Sequence, residues 1–153
     1  MVKFRGVSNL SLDAKGRMVL PARHREHLPE ICQNQLVITI DTDQPCLLIY
    51  PFPEWLLIEE KIEALPSFNA TTRRIQRLLI GHATEVEVDG NGRMLLPTPL
   101  REYAELDKKV VLIGQGKKFE LWNEQVWSER MDSWLGDSAA DDEMPAALAE
   151  LTL

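Results

Sequence analysis

The sequence predicts an α+β fold in which two tandem β-hairpin modules close into one pseudo-two-fold barrel with flanking helices. Three observations lead there: an internal duplication, alternating apolar residues on either side of a glycine turn in each copy, and apolar residues at helical spacing after each copy. The duplication is the strongest of them. Asp13-Ala-Lys-Gly-Arg-Met-Val-Leu-Pro-Ala-Arg-His-Arg-Glu-His-Leu28 aligns with Asp89-Gly-Asn-Gly-Arg-Met-Leu-Leu-Pro-Thr-Pro-Leu-Arg-Glu-Tyr-Ala104 with 8 identities in 16 positions, where average residue usage would give about one. The match continues downstream: Leu36 to Ile40 parallels Val110 to Ile113, and Leu48 to Trp55 parallels Glu120 to Trp127. The offset drifts from 76 to 72 residues along the way, so the length differences fall in the connecting loops.

Each copy reads in the same order. A strand that alternates (Leu10, Leu12; Val86, Val88) meets a glycine turn (Ala14-Lys15-Gly16; Gly90-Asn91-Gly92). A second strand (Met18, Leu20; Met94, Leu96) follows and stops at Pro21 or Pro97. This predicts a hairpin with an arginine at the turn exit. A short helix comes next, opened in the second copy by Thr98 as N-cap with Pro99 at the first helical position. After two further strands, Trp55, Ile58, Ile62 and Leu65 recur at helical spacing, as do Trp127, Met131 and Trp134. Between the copies a helix is expected from about Thr71 to Leu79, with Ile75, Leu78 and Leu79 facing inward. From Gly136 to Pro145 the chain reads as an acidic tail. The expected organisation is a first module over 7–55, connecting helices over 56–80, a second module over 81–127, and a helix end with the tail over 128–153. So small a strand-turn-strand unit cannot bury both faces of its sheet, and two copies must therefore share a core.

Composition narrows the function. No apolar stretch like that of a signal sequence follows the first residues, and no window approaches the length that spans a bilayer, so an intracellular, cytoplasmic protein without a membrane partner is expected. Cys32 and Cys46 lack the paired spacing of zinc or redox motifs and read as buried thiols. The net charge of −7 argues against a polyanionic partner until its distribution is considered. Residues 1–30 carry six cations against three anions, whereas Asp137, Asp141, Asp142, Glu143 and Glu150 load the C-terminal end with none. This polarity leaves the N-terminal region basic.

Catalytic and metal chemistry find no pattern. His24 and His27 have no third ligand at motif spacing. Asp89-Gly-Asn-Gly fails as a calcium loop because Leu100 occupies position 12. Around Gly116-Lys117, Val111 stands where a phosphate loop needs its first glycine, and Lys118 where it needs Ser or Thr. No enzyme, no metal and no cofactor is expected.

At Asp13-Ala-Lys-Gly-Arg17 before Pro21, and its echo Asp89-Gly-Asn-Gly-Arg93 before Pro97, the chain resembles the MraZ family, within the AbrB-like (SpoVT-AbrB) swapped-hairpin superfamily. The resemblance extends over Phe4-Arg5-Gly6, Pro51 to Trp55, Arg73 to Leu79, Gly81-His82-Ala83 and Lys118 to Trp122. It implies two AbrB-like modules forming a swapped-hairpin barrel. It also implies a sequence-specific DNA-binding transcriptional regulator, mainly a repressor of the division and cell-wall gene cluster including its own promoter. The expected partners are double-stranded promoter DNA carrying direct repeats and further copies of the chain, assembled as a ring and associated with the nucleoid. The family's basic turn maps onto Lys15 and Arg17, with Arg93 as the second-copy counterpart.

The candidate DNA-binding residues are Lys15, Gly16, Arg17, Arg93 and Arg5. Gly16 permits a tight turn, Lys15 suits phosphate and Arg17 suits the edge of guanine. The competing reading is that Arg17 and Arg93 pair with Asp13 and Asp89 to fix the turns, and both roles are compatible. Arg5, Arg23 and Arg25 extend the basic surface, although the recurrence of Arg25-Glu26 as Arg101-Glu102 favours an ion pair there. Arg73, Arg74 and Arg77 are assigned to the outward side of their helix. The alternative function is a protein-binding scaffold, such as an antitoxin-like module using the acidic C-terminal segment.

Overall fold

The computed structural model describes residues 2–136 and 145–151; the acidic stretch 137–144 lies outside them. The first repeat contributes β1 (Phe4–Ser11), β2 (Arg17–Val19), α1 (Ala22–Arg25), α2 (Leu28–Cys32), β3 (Gln35–Ile40), β4 (Leu47–Pro51) and α3 (Phe52–Glu63). Helix α4 (Ala70–Ile75) continues into one π-helical segment, Gln76–Ile80. The second repeat contributes β5 (Thr84–Glu87), β6 (Arg93–Leu95), α5 (Thr98–Tyr103), β7 (Lys109–Gly116), β8 (Phe119–Asn123) and α6 (Glu124–Gly136). A short α7 (Ala146–Ala149) follows. The fold is mixed α+β with antiparallel pairing throughout.

Six strands form one sheet in the order β1-β7-β8-β4-β3-β5, and β2 pairs with β6 in a separate two-stranded ribbon. The order shows that the repeats exchange strands: β1 of the first pairs with β7 of the second, and β5 of the second with β3 of the first. The expected hairpins are thereby corrected. Asp13 N donates to Arg17 O (2.9 Å) and Gly16 N to Asp13 O (3.0 Å), which closes the turn, but β1 and β2 then part to different partners. A three-residue strand has little ladder of its own. Crossing to the other repeat instead lets Met18 and Met94 meet in the core, where they are essentially inaccessible.

The pleat explains why the central strands read as continuous apolar runs. On β3, Leu36, Ile38 and Ile40 face the main core while Val37 faces the opposite side. On β7, Val110 and Leu112 face the main core and Val111 and Ile113 the other side. Both faces are covered, so both need apolar residues. The outer face is split between two helices in matching positions. Trp55 of α3 packs with Val37, Leu48 and Tyr50, while Trp127 of α6 packs with Cys46, Val111, Ile113 and Trp122.

Local differences from the expected elements have local causes. Helix α5 begins at Thr98 itself, after Pro97, and the Thr98 hydroxyl accepts from Arg101 Nη2 (2.9 Å) instead of capping the helix. Leu65 lies beyond α3 and is exposed. The inter-repeat helix breaks its α-pattern after Ile75; Leu78 packs on the main core and Leu79 on the α3 side, both half-buried. The buried Thr39 hydroxyl donates to Leu79 O (2.6 Å), which ties that segment to the sheet.

Candidate nucleic-acid interface

The two turns are built alike from one aspartate each. Asp13 Oδ1 accepts from the backbone amides of Lys15 (2.9 Å) and Arg17 (2.8 Å), and Oδ2 from Arg17 Nε (2.7 Å). Asp89 repeats this with Asn91 N (2.8 Å), Arg93 N (2.9 Å) and Arg93 Nε (3.2 Å). These bonds hold both carboxyls below the usual carboxylate range, chiefly through the backbone amide of the arginine in each turn. Gly16 and Gly92 sit at φ of +81° and +79°, the left-handed region that glycine tolerates and other residues resist.

The turn-fixing role of Asp13 and Asp89 is therefore present in both copies, and it leaves the arginines capable of more. Each carboxylate engages the Nε edge, so the two terminal amino groups remain as a fork. That fork is the part of arginine that can bond O6 and N7 of guanine together. Both arginines are about one-third exposed. The Lys15 side chain is exposed and has no hydrogen-bond or ion-pair partner among the described residues.

Strand exchange brings the turns together. Leu96 N donates to Gly16 O (3.0 Å) and Leu20 N to Gly92 O (2.8 Å), so each turn glycine is tied to the other repeat. The register pairs Arg17 with Leu95 and Val19 with Arg93, placing Lys15, Gly16, Arg17 and Arg93 around one short ribbon.

The same exchange corrects the reading of Arg25 and Arg101. Neither pairs with its neighbouring glutamate among the described residues. Arg25 Nη1 instead donates to Asn91 O (2.8 Å), and the guanidinium of Arg101 lies against Gly16, its Nε donating to Leu96 O (3.0 Å). Sequence reasoning missed this pair as part of the turns because the contact crosses repeats. The recurrence of Arg-Glu at the same place in both copies was the available signal, but it pointed equally well to a local ion pair.

Arg5 is not brought to the turns. It lies eight residues upstream of Asp13 on β1, about 26 Å along an extended strand. There it lines a separate basic pocket with Lys3, Arg23, His24 and His27. Arg23 is held by Ser8 Oγ (2.6 Å), and burial pushes the His24 pKa down, with Arg23 and His27 adding to the effect. Arg73, Arg74 and Arg77 are exposed.

Both cysteines are free and buried. The structure also assembles Asp41, Cys46 and Glu120, a cluster with no signal in the spacing. Its donors are occupied by the protein: the Cys46 thiol donates to Asp41 (3.6 Å), Trp122 Nε1 donates to Glu120 (2.9 Å), and burial pushes the thiol pKa far up. No described helix is long and apolar enough to cross a membrane.

Comparison with known proteins agrees with the duplicated turn. The family described as "MraZ protein, putative antitoxin-like" matches twice, over residues 3–78 and 79–145. The chain is 56% identical to a protein of Halorhodospira halophila named transcriptional regulator MraZ, over 98% of this chain and 99% of the relative. It is 55% identical to the protein of that name from Thioalkalivibrio sulfidiphilus, with the same coverage. The counterpart in Legionella pneumophila (strain Corby) is 51% identical, again over 98% and 99%. A double match to one family, set on two aspartate-clamped turns of identical construction, shows that the chain belongs to the MraZ family.

Proposed function

We propose that the protein is a sequence-specific DNA-binding transcriptional regulator, not an enzyme, and that it represses its own promoter within a division and cell-wall gene cluster. The observation that carries this reading is the ribbon that brings together Arg17 and Arg93, each clamped to its turn aspartate through Nε, with Lys15 beside them. The names of the relatives, transcriptional regulators, support it. In this reading Arg17 and Arg93 read bases, Lys15 positions phosphate, Gly16 allows the backbone to approach, and Arg5 meets the duplex at a distance. The exchange of β1 and β5 supports a swapped-hairpin barrel formed from two AbrB-like modules.

One barrel offers few cations, so affinity at cellular salt calls for several copies acting on several sites. The proposed assembly is a ring of copies on direct repeats, nucleoid-associated in the cytoplasm. Exposed Leu56, Leu57 and Phe68 supply apolar surface for contacts between copies.

The test is a fluorescence-anisotropy titration against the DNA upstream of the protein's own gene and a scrambled duplex, each at two salt concentrations. Preference for the native duplex, salt-sensitive and abolished by Arg17→Ala with the fold intact, is expected. Equal affinity for both duplexes, or none, would overturn the reading. The words "antitoxin-like" in the family description favour a second reading, a protein-binding scaffold. A chain ending at Gly136 separates the two, because the regulator keeps its DNA binding.

A further inference from the structure

The outward face of the β2-β6 ribbon carries two residues that the arginine site does not explain. The central pair, Met18 and Met94, points into the core, so residues 17, 19, 93 and 95 point out. Arg17 stands opposite Leu95, and Val19 opposite Arg93. The arginines therefore occupy one diagonal of this face and two aliphatic side chains the other. Val19 is 48% exposed and Leu95 54%, although both repeats bury the apolar residues on either side, Met18 and Leu20, Met94 and Leu96.

An aliphatic pair held open to water between two arginines fits a partner that is charged at its rim and apolar in places at its floor. The major groove has that character. It is about 12 Å wide and admits a two-stranded ribbon, whose strands lie about 4.8 Å apart. Its floor offers acceptors on guanine and one apolar group, the C5 methyl of thymine. Diagonal neighbours on a ribbon are about 7–8 Å apart, close to two base-pair steps of about 3.4 Å.

We infer that Val19 and Leu95 are specificity-determining residues that contact thymine C5 methyl groups in the major groove, about two base steps apart, while Arg17 and Arg93 engage the flanking bases. The inference rests on the DNA-binding reading above and adds the base chemistry this face selects. The identities differ between repeats, valine in one and leucine in the other, so the two contacts are of unequal reach.

The experiment compares three fluorescein-labelled duplexes by anisotropy: the upstream DNA, the same DNA with every thymine replaced by uracil, and a scrambled thymine duplex. Uracil keeps pairing and charge and removes only the methyl groups. Burying one methyl corresponds to about a fourfold change in affinity, so with two methyl contacts the wild type should bind the uracil duplex about fifteenfold more weakly. The double variant Val19→Ala, Leu95→Ala should bind the thymine duplex with that weakened affinity and no longer distinguish thymine from uracil. Equal binding of both upstream duplexes by the wild type overturns the inference alone, provided the scrambled duplex is still rejected. Undiminished thymine preference in the double variant also overturns it, since discrimination would then come from DNA shape. So does a change of oligomeric state by light scattering, which would make the ribbon a contact between copies. Loss of preference over the scrambled duplex in the wild type removes the DNA reading and this inference together.

Discussion

Arg25 of the first repeat donates from Nη1 to the carbonyl oxygen of Asn91, in the turn of the second repeat, at 2.8 Å. Arg101 of the second repeat lies against Gly16, in the turn of the first. Each turn is thus braced by a helix belonging to the other repeat. Among the described residues, only the second turn gains a hydrogen bond to its backbone carbonyl from this arrangement.

Removing that brace should loosen one turn selectively. In Arg25→Ala, the amides of Asn91, Gly92 and Arg93 are expected to exchange with solvent about fivefold faster, while those of Lys15 to Arg17 are unchanged. The single lost hydrogen bond costs about 1 kcal/mol, so the melting temperature falls by only a few degrees. Equal acceleration in both turns would show that they open as one unit.

Asp13 offers a pH test of the clamp. Its carboxyl is depressed below the ordinary carboxylate range, mainly by the Arg17 amide. A depressed acid stabilises its surroundings above its unfolded pKa and loses that contribution as pH falls through the folded value. The Asp13–Arg17 side-chain contact should therefore be unchanged from pH 8 to 5 and be lost only below about pH 4, read from the Arg17 Nε resonance by NMR, while the backbone turn persists on the acceptor that the neutral carboxyl keeps. Asp13→Asn keeps an acceptor for the backbone amides and removes the charge. It should retain the turn and weaken specific DNA binding severalfold, whereas Asp13→Ala loses both.

His24 acts at the opposite end of the pH scale. It is 5% exposed and wedged edge-on against Phe4 and Phe119, whose ring centroids lie 5.8 and 4.9 Å away. Burial lowers its pKa, so the fold favours the neutral ring. Stability is full above the unfolded pKa of about 6.5 and declines as pH falls from there through the depressed folded value. Urea denaturation at pH 7.5 and 5.5 should show the loss, and His24→Phe should largely remove the difference.

Phe68 is 91% exposed in the loop between α3 and α4, with Leu56, Leu57 and Leu65 also exposed. If copies meet here, Phe68→Glu should shift the assembly toward smaller species by multi-angle light scattering without changing the circular-dichroism spectrum of the monomer. An unchanged mass would place the contacts elsewhere, with the exposed Trp134 and Leu135 of α6 as the next surface to test.

The sequence by itself determined the repeat, the two glycine turns, the family and the helices after each copy, because these depend on short-range patterns: left-handed glycine positions, alternation on strands and helical spacing. It also placed an aspartate and an arginine four residues apart in each turn, a separation short enough for the clamp to be anticipated. Tertiary structure decided the rest. Backbone hydrogen bonds carry no label of their partner, so nothing local to β1 or β2 could say that they pair with β7 and β6 rather than with each other. The joint burial of Met18 with Met94 and the eight-residue ladder of β1 on β7 favour the crossed pairing. From that exchange follow the nearness of the two arginines, the bracing by Arg25 and Arg101, and the exposure of Val19 and Leu95. The contacts among these join residues 66 or more positions apart in the chain, where local pattern carries no information.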